Sequence, residues 1–126
     1  MEIPILKKRE YLIASVQAAL TDQDLVGLRD KLVTLVGEHR SSGVILDVTG
    51  MDVMDSFSVR TLQDLAYMIR LRGAVTVIVG IQPDVAFSMI QLGLRLHGVP
   101  TALDLEEGLN YLDSRQGTRK SFPYVS

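Results

Sequence analysis

The chain is organised around residues 45–58, which read ILDVTGMDVMDSFS. The largely apolar residues 44–48 predict a strand that is buried on both faces. A short acidic loop follows, and then a helix that either Ser56 or Asp55 is placed to cap, because both residue types accept a backbone N–H at a helix start. If the protein has a switch, we expect it where this loop meets the helix.

Upstream of this segment the sequence predicts a hairpin and a helix. Residues 3–6 and 11–16 are short apolar segments separated by four charged residues, which indicates two strands joined by a turn. Thr21 is the predicted N-cap of the first helix, with acidic residues in the first turn and apolar residues at steps of three and four after it. This helix is expected to end within residues 38–43, where basic groups are followed by Gly43.

Downstream, helices and strands alternate. The helix after Ser56 leads to residues 74–79, a second fully buried strand, and Pro83 suits the first position of the next helix. Residues 100–103 predict a short last strand, and Asp104, with Glu107 in capping-box spacing, starts the final helix. The apolar residues of these three helices are, in order, Leu62, Leu65, Ala66 and Ile69; Val85, Ala86, Met89, Ile90 and Leu92; and the inward-facing Leu105, Leu109 and Leu112.

This order predicts one α/β domain with a single mixed sheet of about five strands, parallel in its centre, and four helices. The domain is assigned to residues 1–113. Residues 114–126 are assigned to a polar C-terminal tail, expected to be loose or to dock only through Phe122 and Tyr124.

The composition is that of a soluble globular domain. Of 126 residues, 47% are hydrophobic and 22% are charged, and the net charge of −2 does not favour a nucleic-acid binder. The absence of cysteine excludes disulfides and thiolate chemistry and is compatible with a cytoplasmic location. We expect neither a signal peptide nor a membrane span, because no apolar run has the required length.

Catalytic and metal-binding patterns are weak, so the sequence predicts no enzyme, metal or cofactor. The two histidines, His39 and His97, are interpreted as capping or surface residues, and no glycine-rich phosphate loop is present. Clustered carboxylates such as Asp47, Asp52 and Asp55 can bind Mg²⁺. We favour a loop, backbone-binding or cap role for these three, because no lysine accompanies them.

Ser56 has two interpretations. It is a common type of helix cap. The same position also suits phosphorylation, because a phosphate there would face unpaired N–H groups and the positive end of the helix dipole. Next to Asp52 and Asp55 the added charge of about −1.5 to −2 would create an acidic patch that repels one partner or recruits another.

Three parts of the chain together resemble a STAS domain, the fold of anti-sigma-factor antagonists. They are residues 43–49 (GVILDVT), residues 54–56 (MDS) and residues 73–81 (GAVTVIVGI). Residues 80–86 and 101–109, and the opening IPILK, are similar to the short, RsbS-type members of the stressosome branch. The resemblance covers the chain to about Asp113.

This resemblance implies a non-catalytic, cytoplasmic scaffold that assembles with RsbR-type paralogues and sequesters an RsbT-type serine/threonine kinase. Phosphorylation of the serine after the aspartate, here Ser56, releases the kinase, and an RsbX-type phosphatase resets the scaffold. A homodimer and a large hetero-oligomer are expected. The residues expected to contact partners near the switch are Asp52, Asp55, Phe57 and Arg60.

The sequence departs from many antagonists by lacking the glycine of Asp-Ser-x-Gly, and it adds Ser58, our second choice of phosphoacceptor. The alternative function is a free anti-sigma-factor antagonist that binds an anti-sigma kinase. A more remote alternative is a hydrolase or nucleotide-binding domain that uses the acidic loop.

Overall fold

The computed structural model describes residues 3–17 and 19–120, with side chains as far as Arg115. In chain order the elements are β1 (Ile5–Lys8), β2 (Tyr11–Ser15), α1 (Asp22–His39), β3 (Gly43–Asp47), α2 (Ser56–Leu71), β4 (Val75–Val79), α3 (Pro83–Gln91), β5 (Thr101–Ala102) and α4 (Leu105–Lys120). The predicted order of strands and helices is confirmed.

The five strands form one sheet whose spatial order is the order of the sequence, β1-β2-β3-β4-β5. β1 and β2 are antiparallel, and all other neighbours are parallel. The pairing aligns Tyr11 with Gly43 and Gly43 with Val75. The mixed sheet with a parallel centre is therefore confirmed, and α1, α2 and α3 are the crossovers between its parallel strands.

Side chains alternate between the two faces of the sheet, and the two faces are covered unequally. One face packs under α1, α2 and α3, which contribute Leu25, Leu28, Leu32, Val36, Val59, Leu62, Leu65, Ile69, Val85 and Met89 to the core. On the other face, Tyr11, Ile13, Ile45, Val77 and Val79 pack against Leu112 and Leu109 of α4. The buried central strands agree with the prediction that β3 and β4 are apolar on both sides.

The first strand of the hairpin, β1, lies two residues further along the chain than predicted, whereas β2 begins at Tyr11 as predicted. Arg9 has a φ of 55°, which allows a two-residue turn, so Lys7 and Lys8 continue the ladder as part of β1. Lysine is common on an exposed edge strand, where its charge opposes pairing with another chain. Beside the turn, the buried Tyr11 donates its hydroxyl hydrogen bond to Asp113 Oδ1 at 2.7 Å and ties α4 to the hairpin.

Helix α1 begins and ends where predicted, but the glycine after it is not the residue that closes the helix. Thr21 is its N-cap and forms a capping box with Asp24. At the other end Arg40, not a glycine, adopts the left-handed conformation, with a φ of 50°. Gly43 is instead the first residue of β3, where an added Cβ would lie 2.8 Å from Leu112 Cδ1.

Helix α4 differs from the sequence prediction in the exposure of its first residue, and it continues past the predicted domain boundary. Leu105 is exposed, because as the first residue of the helix it lies at the rim of the sheet, whereas Leu112 is buried as predicted. The helix continues past Asp113 to Lys120, so the secondary structure is unbroken at the domain boundary predicted from the sequence. That boundary stays a prediction, and the docking residues Phe122 and Tyr124 lie outside the described residues.

None of the helices in residues 3–17 and 19–120 combines the length and the hydropathy that a bilayer crossing requires.

Candidate functional site

The loop between β3 and α2, residues 48–55, lies at the end of the sheet where the parallel strands finish. The amide of Val48 donates to the carbonyl of Val79 at 3.0 Å and extends the ladder, while the amide of Gly50 donates to the carbonyl of Val16 at 3.1 Å. A Cβ at Gly50 would collide with the backbone of Val16 and Gln17, so only glycine fits where the loop passes β2.

Two buried methionines hold this loop against the core. Met51 and Met54 are both in the main hydrophobic cluster, whereas Asp52 and Val53 between them are exposed. The alternation gives the loop a fixed inner side and an outer side that partners can contact. Asp52 thus lies where the sequence analysis expects a partner-binding residue.

Asp55 is the N-cap of α2, which resolves the choice between Asp55 and Ser56 as the capping residue. Its Oδ1 accepts hydrogen bonds from the Ser58 amide at 2.8 Å and from the Ser58 hydroxyl at 2.9 Å. These two bonds, the backbone one foremost, hold the pKa of Asp55 below its usual value. The interpretation of Ser56 as the cap is therefore wrong, since the aspartate carboxylate already occupies the site that a capping hydroxyl would take.

The two candidate phosphoacceptors differ in environment. Ser56 is the first residue of α2 and is exposed, and within the described part of the chain no hydrogen bond engages its hydroxyl. Ser58 is only 7% exposed, and its hydroxyl is bound to Asp55. A phosphoryl donor can approach Ser56 directly, whereas Ser58 would first have to leave its pocket.

The other predicted contact residues lie around Ser56. Phe57 is 40% exposed, so more than half of this residue is covered and the rest is accessible. Arg60, one turn further on, is exposed. Gln63, also on α2, is different, because its side-chain amide donates to the carbonyl of Arg95 at 2.7 Å within the domain.

The three acidic residues do not converge on one point. Asp47 Oδ1 accepts hydrogen bonds from the Thr49 amide at 2.9 Å and the Thr49 hydroxyl at 2.6 Å, as backbone binding by Asp47 predicts. Asp52 accepts from Gln82, and Asp55 caps α2. Among the described residues no group of three histidine, cysteine or acidic side chains is arranged to hold a metal ion.

Gln82 is a residue of this site to which the sequence analysis gave no role. Its side-chain amide donates to the Thr49 carbonyl at 2.6 Å and to Asp52 Oδ1 at 3.1 Å, so it joins the loop after β4 to the loop after β3. We call this contact the Gln82 bridge. The residues that the Gln82 bridge joins are distant in the sequence, so no local sequence pattern predicts this contact.

Both histidines lie away from this site. His39 is in the last turn of α1, and His97 is exposed in the segment before β5. Helices α1 to α4 begin at the end of the sheet where Ser56 lies, and the first turns of α1, α3 and α4 contain Asp22, Asp24, Asp84, Glu106 and Glu107. These carboxylates complement the positive ends of the helix dipoles and give this end of the domain a negative surface.

A mixed five-stranded sheet with crossover helices and an exposed serine at the start of α2 places this chain in the STAS class of signalling domains. The family profile described as STAS domain matches residues 2–108, and the chain belongs to this family. The resemblance to STAS domains inferred from the sequence is thereby confirmed.

The relatives connect the chain with stressosome proteins. It is 32% identical over 82 residues to the RsbT co-antagonist protein RsbRA of Bacillus subtilis (strain 168), and the match covers 65% of this chain but 30% of RsbRA. A serine-to-glutamate variant of RsbS from Moorella thermoacetica has a TM-score of 0.79 at 29% identity, covering 93% of this chain and 99% of that one. A chain from a structure of the stressosome, described as a signal integration and transduction hub, has a TM-score of 0.75 at 32% identity, covering 90% of this chain and 98% of that one.

Proposed function

We propose that this protein is a non-catalytic scaffold subunit of a cytoplasmic, stressosome-type assembly. In this proposal it holds an RsbT-type serine/threonine kinase and releases it when Ser56 is phosphorylated. The observation that carries the proposal is the exposed, unengaged hydroxyl of Ser56 beside the cap of α2, in a chain similar to RsbS along nearly its whole length.

The geometry suits a reversible change of charge. The Ser56 oxygen attacks the γ-phosphorus of ATP held by the kinase, the bond to ADP breaks, and the hydroxyl proton passes to a base on the kinase. The phosphate gains the positive end of the α2 dipole, worth about 0.3–1 kcal/mol at an exposed site. Because Asp55 keeps its bonds to Ser58, the modification leaves the fold in place.

Release of the kinase follows from the surroundings of Ser56. The exposed Asp52, Asp55, Phe57 and Arg60 form the contact surface in this proposal. A phosphate adds about −1.5 to −2 charges to a surface that already carries two carboxylates. A kinase surface that accepts the unmodified site would meet increased negative charge, and the complex would dissociate faster.

The proposed partners in the assembly rest on the similarity of this chain to stressosome proteins. RsbR-type paralogues are the proposed co-subunits, and an RsbX-type phosphatase is the proposed resetting enzyme. Size-exclusion chromatography with and without the paralogue separates this function from that of a free anti-sigma-factor antagonist. A very large co-assembly supports the scaffold, whereas a small complex with an anti-sigma kinase supports the antagonist.

Mass spectrometry after incubation with the cognate kinase and Mg²⁺-ATP tests the site. We expect Ser56→Ala to abolish phosphorylation and Ser58→Ala to retain it, because Ser56 is exposed and Ser58 is buried. Full modification of Ser56→Ala together with loss of modification in Ser58→Ala would show that the assignment is wrong.

Kinase capture by immobilised protein tests the switch. Ser56→Asp should weaken capture about tenfold, which corresponds to 1.4 kcal/mol. Ser56→Asn is the matched control, because it has nearly the same shape without the charge. Equal capture by the two variants would contradict an electrostatic release.

A further inference from the structure

A cleft lined by two arginines lies between the carboxyl-terminal ends of α1 and α2. It has a volume of about 550 Å³, which is within the usual range for sites that bind small molecules. Because α2 has 16 residues, the cleft lies roughly 24 Å from Ser56, at the other end of that helix. We call it the Arg40–Arg72 cleft, and the residues that line it include Gly37, Arg40, Ser41, Ser42, Leu71 and Arg72.

Two serine hydroxyls in the cleft lack hydrogen-bond partners. Ser41 is 5% exposed and Ser42 is half-buried, and among the described residues neither hydroxyl oxygen is bonded. Their backbone is fixed, because the Ser41 amide donates to the Val36 carbonyl at 3.1 Å and the Ser42 amide donates to the Glu10 carbonyl at 2.8 Å. A buried polar group without a partner is uncommon and costs stability. Rotation about χ1 would turn either hydroxyl towards a group that enters the cleft.

The guanidinium of Arg72 is seated on the backbone of α1. A Cβ on Gly37 would collide with this guanidinium, so the glycine leaves the space that the arginine occupies. In the part of the chain that the structure describes, Arg72 forms no ion pair. Its charge is therefore held at a defined place in the cleft without a carboxylate to neutralise it.

Arg40 supplies the second guanidinium from a strained position. It follows α1 in the left-handed conformation, with a φ of 50°, where glycine is the usual residue because other residues are strained there. A cation near the end of a helix complements the helix dipole, but an arginine in the last turn would do the same without the strain. Arg40 also forms no ion pair with the described residues. A ligand for its guanidinium would give the strained position a function.

We propose that the Arg40–Arg72 cleft binds a phosphate group, either as inorganic phosphate or carried by a small phosphate monoester. The two guanidinium groups only donate hydrogen bonds, and the two hydroxyls can donate as well, so the site suits an anion with several oxygens. Arginine matches phosphate because its planar fork can bind two oxygens at once. No aromatic side chain is among the described lining residues, so a nucleobase would find no stacking partner. This site goes beyond the proposed switch and does not depend on Ser56.

Amide chemical shifts of the full chain, titrated with inorganic phosphate in about 0.15 M sodium chloride, test the site. We expect saturable shifts centred on residues 37–42 and 71–73, which line the cleft. The start of α2 is a competing place for an anion, because a helix N-terminus offers unpaired N–H groups. Shifts confined to residues 55–59, or shifts that do not saturate, would overturn the proposal.

A parallel titration with glycerol 3-phosphate separates the two sources of the phosphate group. Saturation at the same residues by both compounds would show that the cleft accepts a monoester. Saturation by inorganic phosphate alone would assign the cleft to the free anion. Failure of both compounds to bind would overturn the proposal.

Removing either charge should weaken binding. Arg72→Gln and Arg40→Asn should each raise the dissociation constant for phosphate about tenfold or more, because each removes a charge-assisted hydrogen-bond donor. Asparagine adopts the left-handed conformation readily, so Arg40→Asn retains the end of α1. Circular dichroism checks that both variants keep the fold. Wild-type affinity in both folded variants would overturn the assignment of the arginines.

Gly37→Ala separates the position of Arg72 from its charge. It retains both arginines but displaces the guanidinium of Arg72 from α1, so the dissociation constant should rise severalfold. Gly27→Ala is the matched control in the same helix, because its Cβ would meet nothing within 4 Å, and it should bind phosphate like the wild type. Equal affinity of these two variants would show that the seat on Gly37 has no role in binding.

Ser56→Ala distinguishes this site from the proposed switch. It should bind phosphate like the wild type, because the cleft is at the far end of α2. If the kinase fails to modify Ser56 while phosphate still saturates the cleft, the switch fails and the phosphate site stands. Loss of phosphate binding in Ser56→Ala would instead place the anion at the start of α2 and overturn the proposal.

Discussion

Asp55 and Ser56 are adjacent in the sequence but have opposite relations to α2. The carboxylate of Asp55 is bound to the helix, whereas the hydroxyl of Ser56 faces solvent. One residue therefore secures the helix start and the other is left available to an enzyme. The sequence pattern indicated that one of them caps the helix but not which one, because both residue types are common N-caps.

Replacing Asp55 with alanine should lower the free energy of unfolding by about 1 kcal/mol, since the Ser58 amide loses its acceptor. Ser56→Ala is the matched control and should change stability by less than about 0.5 kcal/mol. Urea denaturation measures both variants. Equal losses would mean that the two side chains share the cap.

The lowered pKa of Asp55 gives this cap a defined pH dependence. Because the folded state holds this carboxyl below its unfolded pKa of about 3.9, the stabilisation is complete above that pH and is lost as the pH falls through the folded value. The difference in free energy of unfolding between the wild type and Asp55→Asn should stay constant from about pH 7 to 5 and shrink below about pH 4. A difference that persists unchanged in acid would contradict the lowered pKa of Asp55.

At the scale of elements, α4 is the one helix among the described residues that covers the second face of the sheet. Gly108 allows it to lie close, because a Cβ there would be 2.7 Å from Val79 Cγ1 and 3.5 Å from Ile45 Cδ1. Gly27 in α1 is also helical, but an added Cβ would meet nothing within 4 Å. The two glycines should therefore respond in opposite ways to the same substitution.

Gly108→Ala should destabilise the domain by about 1–3 kcal/mol, because the new methyl group pushes α4 from β4. Gly27→Ala should stabilise it by about 0.4–1 kcal/mol, because it reduces the freedom of the unfolded chain without a clash. Thermal and urea denaturation check both. If Gly108→Ala were as stable as Gly27→Ala, the close packing of α4 on β3 and β4 would be in error.

The central elements were predictable from the sequence because their signals are local. The continuous apolar runs of β3 and β4 identify buried strands, and Thr21 and Pro83 identify helix starts. The end of β1 was missed because its charged residues, Lys7 and Lys8, lie on an open edge, where polarity does not prevent pairing. The Gln82 bridge was missed because it depends on two loops meeting in space.

At the scale of the whole molecule, the strands in the middle of the sheet are more completely enclosed than the strands at its edges. β3 and β4 have hydrogen-bonded neighbours on both sides and helices on both faces, while β1 and β5 are edge strands. The fold class followed from the alternation of strands and helices. The unequal cover of the two faces did not, because the sequence does not state on which face each helix packs.

Amide hydrogen exchange measures this gradient directly. The amides of Ile45, Leu46, Val77 and Ile78 should exchange slowest, through opening of the whole domain, because their strands are buried in the centre. The amides of Leu6 and Lys7 in β1 should exchange by local fraying. Exchange in β3 as fast as in β1 would mean that the sheet does not unfold as one cooperative unit.

The anchoring of the loop between β3 and α2 has a consequence for how a kinase would recognise the proposed phosphorylation site. Met51 and Met54 anchor that loop in the hydrophobic core, and the Gln82 bridge anchors it to the loop after β4. An enzyme that recognises Ser56 in this setting reads a three-dimensional epitope rather than a linear motif. A synthetic peptide with the same residues lacks that shape, so peptide arrays and consensus searches will overlook the site.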